Sequence, residues 1–593
     1  MKQFFKYVLA TIVGILLSSF LVFIIFIGII GYAISSAGTS GKTIDIKENS
    51  VLLIKLDEII SDRTGNNPLE NFDFSTFQAN PQLGLNDILK YLEMAEDDKR
   101  IKGIVIETTG IEAGIATVEE IRNALKKFKE RSGKFIYAYS EVYTQKSYYL
   151  ASVADSIFLN PAGMMELRGL AYQGMFFKGA LEKLEVEAQI IRHGKFKSAV
   201  EPFMLDKMSV ENKEQTRKYM GSIWNHLVAG ISETRNVNVE RINQLADSVL
   251  VQSAEDAVKY ELIDQLCFRD QYLAILRKKM GIESEKDKIN FISLARYTHA
   301  DFQETKLEKK PEIAVIYASG DIISGKSIQE SMGSETISEA IKKARLDDNV
   351  KAIVLRVNSP GGSALASDVM WREVVLAKQA KPVVVSMGDV AASGGYYISC
   401  AANKIFASPN TITGSIGVFG MIPNMQGMFK NKFGITTDTV NTNKHADILT
   451  VFRPLTAEEK NIIQMSVEKI YDDFITKVAE GRNLTKEQVD EIGQGRVWSG
   501  EDALRIGLVD EIGGLSDAIL AAKELAGLDV HRVKEFPELP DPFEELMKGL
   551  SGEGEEVLIR NFLGEEYIYY KQLKNVKKQR GIMAKMPEEF EIY

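Results

Sequence analysis

Ser393 stands in Ala391-Ala392-Ser393-Gly394-Gly395, a hydroxyl among residues with almost no side chain, at the point where an apolar run gives way to a helical pattern. On a tight strand-to-helix turn such a serine is open to substrate. The N–H of Gly394 and the helix dipole then face any negative charge that forms there. Upstream, the strand-like run ending at Val357 enters Asn358-Ser359-Pro360-Gly361-Gly362-Ser363. Two adjacent glycines let backbone N–H groups approach a cleft with no Cβ in the way, which is what a developing oxyanion requires. Together the segments describe acyl transfer with Ser393 as nucleophile. The competing reading is that Ala-Ser-Gly-Gly is only a close-packing turn, and taken alone the segment fits either.

A serine nucleophile needs a base. The five histidines, His193, His226, His299, His445 and His531, fall in no motif that sets one beside Ser393, and no G-x-S-x-G pattern surrounds the serine. A lysine can serve if burial brings its pKa toward neutrality. The candidate is Lys197, in Gly194-Lys195-Phe196-Lys197-Ser198-Ala199-Val200-Glu201-Pro202-Phe203. Most lysines are solvated surface charges, so Lys197 gains its standing only from the organisation of the whole chain.

That organisation is a duplication. Ile104-Val105-Ile106 returns as Ile353-Val354-Leu355, Ile157-Phe158-Leu159-Asn160-Pro161 as Ile405-Phe406-Ala407-Ser408-Pro409, and Val251–Val258 as Val497–Leu504, at separations of 249, 248 and 246 residues. One domain is present twice in tandem, which differs from a short-period solenoid. In this register Ser393 faces Gln145, Gly394-Gly395 face Lys146-Ser147, and Gly361-Gly362 face Glu112-Ala113. Aligning Phe203 with Phe452 sets Ala446 opposite Lys197. Copy one holds the lysine without the serine, and copy two the serine without the lysine. Residues needed only for folding would be kept in both. Lys444 remains a rival base, since a slip of one or two residues would bring it into the place of Lys197.

The elements that must position these residues alternate between two periods. Strand-like runs such as Lys351–Val357 and Pro382–Ser386 flank a helical pattern over Ala364–Ala380, which predicts an α/β fold with a mainly parallel sheet and crossover helices in each repeat. The repeats are read as residues 50–297 and 312–530, joined by the polar linker 298–311. The extension 531–593 shows no counterpart in the first repeat and no readable role. Residues 7–34 carry no charge and exceed the ~20 apolar residues that cross a bilayer, so one transmembrane helix is expected there. Lys2 and Lys6 in the short N-terminus 1–6 then keep that end cytoplasmic and put the repeats outside. A cleaved leader is the competing reading, because Ser35-Ser36-Ala37 would suit a signal peptidase.

Composition sets the outer limits. At 593 residues, 45% hydrophobic and 26% charged, the chain is long enough for several cores, and its net charge of −10 argues against a nucleic-acid surface. Cys267 and Cys400, one per repeat, lie in no CxxC or Cys/His cluster, so two buried free thiols are expected and structural zinc is not.

Four segments in order, Phe196–Phe203, Asn358–Gly362, Asp389–Tyr397 and Thr413-Gly414-Ser415-Ile416-Gly417, resemble the signal peptide peptidase A family in its long tandem-repeat form. The resemblance spans roughly Ser50 to Val530 and the N-terminal anchor. It implies tandem Clp-protease/crotonase-like domains and a membrane-bound serine peptidase with a Ser/Lys dyad. By motif, Ser393 is then the nucleophile and Lys197 the general base. Ser415 orients the lysine, and Gly362 and Gly394 are the oxyanion donors. The resemblance implies no cofactor, a homotetramer, and signal peptides and other hydrophobic peptides as substrates at the outer face of the cytoplasmic membrane. Two other classes stay open: an acyl-CoA enzyme, since crotonase-like folds stabilise enolates with a glycine N–H pair, and a catalytically silent membrane scaffold.

Overall fold

The computed structural model describes residues 3–4, 6–7, 9–22, 44–66, 72–73, 78–79, 82–284, 286–302, 310–328, 331–539 and 581–586. Each repeat is built on its own parallel sheet. In the first, the strand order is Gln265–Leu266, Ser156–Met165, Phe135–Tyr143, Ile101–Ile106, Ser50–Ile54, Asn290–Ser293, with every neighbour parallel. In the second it is Val497–Ser499, Ile412–Gly414, Val383–Ala392, Val350–Ser359, Glu312–Ser319, Arg532–Phe536, and only the first of these strands runs antiparallel. Ile104, Val105, Ile353 and Val354 are all buried because helices cover both faces, which is why their strands read as continuous apolar runs. The helical pattern over Ala364–Ala380 forms as read, with Ser363 as its N-cap accepting from the N–H of Ala366.

The second sheet shows what the sequence hides about its own end. Arg532–Phe536 lies parallel beside Glu312–Ser319, the place that Asn290–Ser293 takes beside Ser50–Ile54. Arg532–Phe536 therefore does have a first-repeat counterpart, whose side chains are too different for the repeat to be seen without the pairing.

A third, mixed sheet draws on both repeats. Its order is Ser331–Gly333, Asp321–Ile323, Gly361–Ser363, Gly581–Lys585, Phe419–Asn424, Glu187–Arg192. Glu187–Arg192 comes from the first repeat and pairs antiparallel with Phe419–Asn424 of the second over six residues.

Buried polar contacts from the second repeat's own sheet also bolt the repeats together. Arg356, fully buried, reaches Asp62 and Glu120 of the first repeat, each at 2.7 Å. Asp62 also accepts from Ser319 Oγ at 3.0 Å and Asn358 Nδ2 at 2.9 Å. Helix N-termini are capped across the boundary in both directions. Asp389 accepts from the N–H of Thr117 in the helix Ile115–Ser132, and Glu120 accepts from the N–H of Leu515 in the helix Leu515–Leu525. Both helices start after a glycine, Gly114 or Gly514, that has no side chain to cap with, so the other repeat supplies the oxygen.

At the N-terminus residues 9–22 are helical, with Leu9, Ile15, Leu16 and Leu17 exposed. Residues 23–34 of the expected span, and 303–309 of the expected linker, lie outside the described residues. Among the described residues no helix is long and apolar enough to cross a membrane. Cys267 and Cys400 are free and buried.

Candidate active site

The strand Val383–Ala392 ends in the second repeat's core and hands over to the short helix Gly394–Ser399 through one residue, Ser393. That residue has φ 53° and ψ −111°, a strained conformation for a side chain. Its N–H donates to Gly414 O at 2.8 Å and its carbonyl accepts from Tyr397 N at 2.8 Å, so strand pairing on one side and the helix on the other hold the strain. The turn has the geometry of a nucleophile elbow although the sequence lacks the G-x-S-x-G pattern. Gln145, its counterpart in the register read from the sequence, is not among the residues with positive φ.

Lys197 arrives from the first repeat. The strand Glu187–Arg192 delivers the chain across the junction, His193 N donates to Val418 O at 3.0 Å and Phe196 N to Gln494 O at 3.0 Å, and a 3-10 turn, Ser198–Val200, follows the lysine. Its Nζ lies 2.8 Å from Ser393 Oγ, 3.1 Å from Ser415 Oγ and 3.1 Å from Ser415 O. Lys197, Ser393 and Ser415 are each fully buried. Burial alone holds the lysine pKa well below its ordinary value, for no carboxylate offsets the desolvation.

Space for this side chain comes from glycines. A Cβ on Gly495 would lie 2.7 Å from the Lys197 backbone, and one on Gly417 3.2 Å from Lys197 Cδ. Behind the lysine, Gln215 Nε2 donates to Phe196 O at 3.1 Å and Ser198 Oγ at 3.0 Å, while its Oε1 accepts from Val497 N at 3.1 Å. Glu201, buried in the Glu-Pro-Phe segment, accepts from Ser209 Oγ, Ser209 N and Asn212 Nδ2. Neither Gln215 nor Gly495 was legible from motif or spacing. Each works through contact with a residue hundreds of positions away.

The two predicted glycines both approach Ile322: a Cβ on Gly362 would lie 2.2 Å from its carbonyl oxygen, and one on Gly394 3.0 Å from its Cδ1. Gly394 opens the helix beside Ser393, and Gly362 has φ 157° in the strand Gly361–Ser363. Gly361, the other member of the glycine pair read from the sequence, is as closely placed: it has φ 102°, and a Cβ there would lie 2.7 Å from the Gly394 nitrogen. The structure separates the rivals. The Lys444 side chain is 72% exposed and pairs with Glu458. His193 bonds Glu468, His226 bonds Glu119, and His445 bonds Glu458 and Glu459. None of these bonds reaches Ser393.

The first repeat carries the equivalent strand-to-helix junction with a relaxed backbone and its chemistry gone: there Thr144 is the N-cap and Gln145 the first helical residue. Tyr148 and Tyr396 hold equivalent bonds, to Leu262 O and Leu508 O, which fixes Gln145 opposite Ser393 in space. Gln145 spends its side chain on the backbone, accepting from Arg168 N and Gly169 N and donating to Gly169 O.

Known proteins carry the same arrangement of sequence. The model of peptidase family S49 matches residues 128–283 and 376–529, two stretches that start one repeat apart, and the Clp protease model matches 306–414. Over 544 residues the chain is 36% identical to protease 4 of Salmonella typhi, covering 89% of this chain and 87% of that one. The chain belongs to peptidase family S49. It is likewise 37% identical to protease 4 of Haemophilus influenzae, covering 85% of this chain and 83% of that one. With the chloroplastic serine protease SPPA of Arabidopsis thaliana the identity is 34%, over 86% of this chain and 74% of that one. As an S49 member with two copies of the family domain, the chain is a serine protease of the tandem-repeat SppA type on Clp-protease-like α/β domains.

Proposed function

We propose that this serine protease is a membrane-anchored endopeptidase that uses a Ser393/Lys197 dyad to degrade hydrophobic peptides, cleaved signal peptides among them, at the outer face of the cytoplasmic membrane. The observation that carries the reading is the 2.8 Å contact between Lys197 Nζ and Ser393 Oγ inside a site with no water-exposed surface. A neutral amine has two N–H groups and one lone pair. The donors fit the carbonyl and hydroxyl of Ser415, and the lone pair then points at the Ser393 hydroxyl.

From this ground state the chemistry follows. Ser393 Oγ attacks the scissile carbonyl as Lys197 takes its proton, and the N–H groups of Gly362 and Gly394 hold the oxyanion. Lys197 returns the proton to the leaving amine, and water releases the acyl-enzyme with the same lysine as base. Ser415 orients the amine throughout. An acyl-CoA enzyme stabilising an enolate would need no amine beside the serine, so this contact favours the peptidase.

The uncharged stretch 7–34 behind Lys2 and Lys6 supports the anchor and an extracytoplasmic catalytic domain. A homotetramer enclosing its sites would admit leader peptides and exclude folded proteins. A phosphonate probe should label Ser393 in the wild type and fail in Lys197→Met. Labelling at another residue, or none in an enzyme that cleaves leader peptides, would sink the dyad. Monomers with full activity in light scattering, or equal cleavage of a folded protein, would sink the enclosed site.

A further inference from the structure

Three consecutive residues of the second repeat grip the segments that carry the amine and its orienting serine. Phe196 N donates to Gln494 O at 3.0 Å, Gly495 N to Ile416 O at 2.7 Å, and Ser415 N to Arg496 O at 2.7 Å. The turn 494–496 thus ties the Lys197 segment of the first repeat to the Ser415 segment of the second. Its backbone is strained, with φ 54° at Gln494 and 79° at Gly495, and Ser415 itself has φ 49°. Residues with side chains keep such angles only where their surroundings impose them.

The constraint reaches in from the helix Ala457–Arg482. Tyr471, buried on that helix, accepts from the Gln494 N–H at 3.2 Å through its hydroxyl oxygen and donates to Asp490 Oδ1 at 2.5 Å. Gln494 Nε2 donates to the same carboxylate oxygen at 2.5 Å. Burial, and then the bond to Asp490, raises the Tyr471 pKa, so the hydroxyl keeps its proton. The ring meets the other arm of the site. It stacks on His193 with centroids 3.8 Å apart, and His193 Nδ1 lies 2.6 Å from Glu468 Oε2. Since His193 stands four residues before Lys197, one side chain touches the approach to the lysine with its ring and the gripping turn with its hydroxyl.

The first repeat supplies a comparison. Its helix Val210–Arg235 is also 26 residues long, and aligning the two helices end to end sets Trp224 at the place of Tyr471. The same register sets Asn243 at the place of Asp490, and Trp224 Nε1 donates to Asn243 Oδ1 at 2.8 Å. The link from the long helix to the next one is therefore common to both copies. An indole N–H only donates and cannot receive a backbone N–H. The group that accepts from the turn is present only in the copy that holds the serine.

We infer that Tyr471 is a positioning residue of this site, and that its hydroxyl fixes the turn 494–496 so that Lys197 and Ser415 meet in register with Ser393. The inference rests on the dyad proposed above. The bonds of Tyr471 go to Gln494 and Asp490, so it acts through the turn and not on the reacting atoms. Without the hydroxyl the Gln494 N–H loses its partner, and the turn relaxes its left-handed angles by drawing away from Phe196 and Ser415. The amine then loses its aim and is reached by water.

Tyr471→Phe keeps the ring against His193 and removes only the hydroxyl. Steady-state kinetics on a leader peptide should show kcat lowered about tenfold or more, as for a misplaced catalytic group, with KM at the wild-type value. The acidic limb of the pH profile should move up by about half a unit or more as the lysine regains solvent. The titratable groups that face Tyr471, namely His193, Glu468 and Asp490, are unchanged in this variant. Tyr148→Phe deletes a buried tyrosine bond of the first repeat, to Leu262 O at 2.9 Å, and should keep the wild-type kcat and limb. Wild-type kcat and limb in Tyr471→Phe, or the same losses in Tyr148→Phe, overturn the inference. Should Tyr471→Phe fail to fold, Asp490→Ala loosens the same strut from its other end: a lowered kcat and a shifted limb are expected, and unchanged values overturn it. Phosphonate labelling of Ser393 separates the two proposals. If wild type is labelled there and Tyr471→Phe is labelled as fast, the dyad stands and this inference falls; if wild type is not labelled at Ser393, the dyad falls and takes this inference with it.

Discussion

The carboxylate of Asp389 accepts from both the backbone N–H of Thr117, at 2.9 Å, and its hydroxyl, at 2.6 Å. Asp389 sits on the strand Val383–Ala392, four residues before Ser393, so the segment that presents the serine also caps a helix of the other repeat. Burial raises the Asp389 pKa despite these bonds. Asp389→Ala should lower stability by about 1 to 2 kcal/mol, the usual range for losing an N-cap, and should reduce kcat/KM as the strand end loosens. Asp389→Asn keeps an acceptor and should recover most of both. Chemical denaturation and peptide hydrolysis on the three proteins check this; an Asp389→Ala protein as stable as wild type would refute the cap.

Removing either member of the proposed dyad should be nearly complete in effect. Ser393→Ala and Lys197→Met should each lower kcat/KM by on the order of 10⁴ or more, and the double variant should be no worse than the worse single one, because the two act as a unit. Ser415→Ala should cost less, since Ser415 O still holds the amine. Additive losses in the double variant would mean that the two residues serve separate steps.

Acidity should act on activity and stability in the same direction. Burial makes folded Lys197 give up its proton at a pH well below the ordinary value near 10.5, while in the unfolded chain it keeps the proton up to that value. The unfolded state binds the extra proton between the folded and unfolded pKa, so the lysine's contribution to stability rises with pH across that window and falls as pH drops. Wild type should therefore gain on Lys197→Met as pH is raised from 7 toward 10, and kcat/KM should rise along a limb set by the depressed lysine pKa. Lys197→Arg should be inactive, because guanidinium stays protonated. A wild-type to Lys197→Met stability difference that does not change with pH would contradict a neutral buried amine.

Two glycines with the same backbone angle offer a controlled comparison. Gly495 and Gly507 both have φ 79°, but a Cβ on Gly495 would strike the Lys197 backbone at 2.7 Å while one on Gly507 would come no nearer than 4.0 Å to Leu484. Alanine at either pays about 1 to 2 kcal/mol for the left-handed conformation. Gly495→Ala should in addition displace Lys197 and cut kcat/KM at least tenfold, with Gly507→Ala near wild type. Similar kinetics in the two variants would show that the lysine backbone has slack.

Ser393 and Lys197 were visible in the sequence because the duplication supplies an internal control: each is missing from the other copy, and bland roles would not produce that complementary loss. The main strands and the helix Ala364–Ala380 were visible because buried parallel strands and amphipathic helices have distinct periods. Asp389 was quoted only as part of a motif, and its partner Thr117 is 272 positions away, beyond any local pattern. Gln215 and Gly495 escaped for the same reason. Gly581–Lys585 escaped for another: five residues with no alternation bear no mark of a strand until the slot that receives them is known.

The buried Arg356 with Asp62 and Glu120 has a consequence for dilution. An active centre shared between separate subunits dissolves when concentration falls below the subunits' affinity. Here both contributors are links of one chain, so their meeting is an intramolecular event whose effective concentration is set by the polypeptide and not by the cell. Formation of the Lys197–Ser393 contact is then part of folding and is first order in protein. Even an enzyme present in a few copies per cell would keep every serine matched with a lysine at fixed one-to-one stoichiometry.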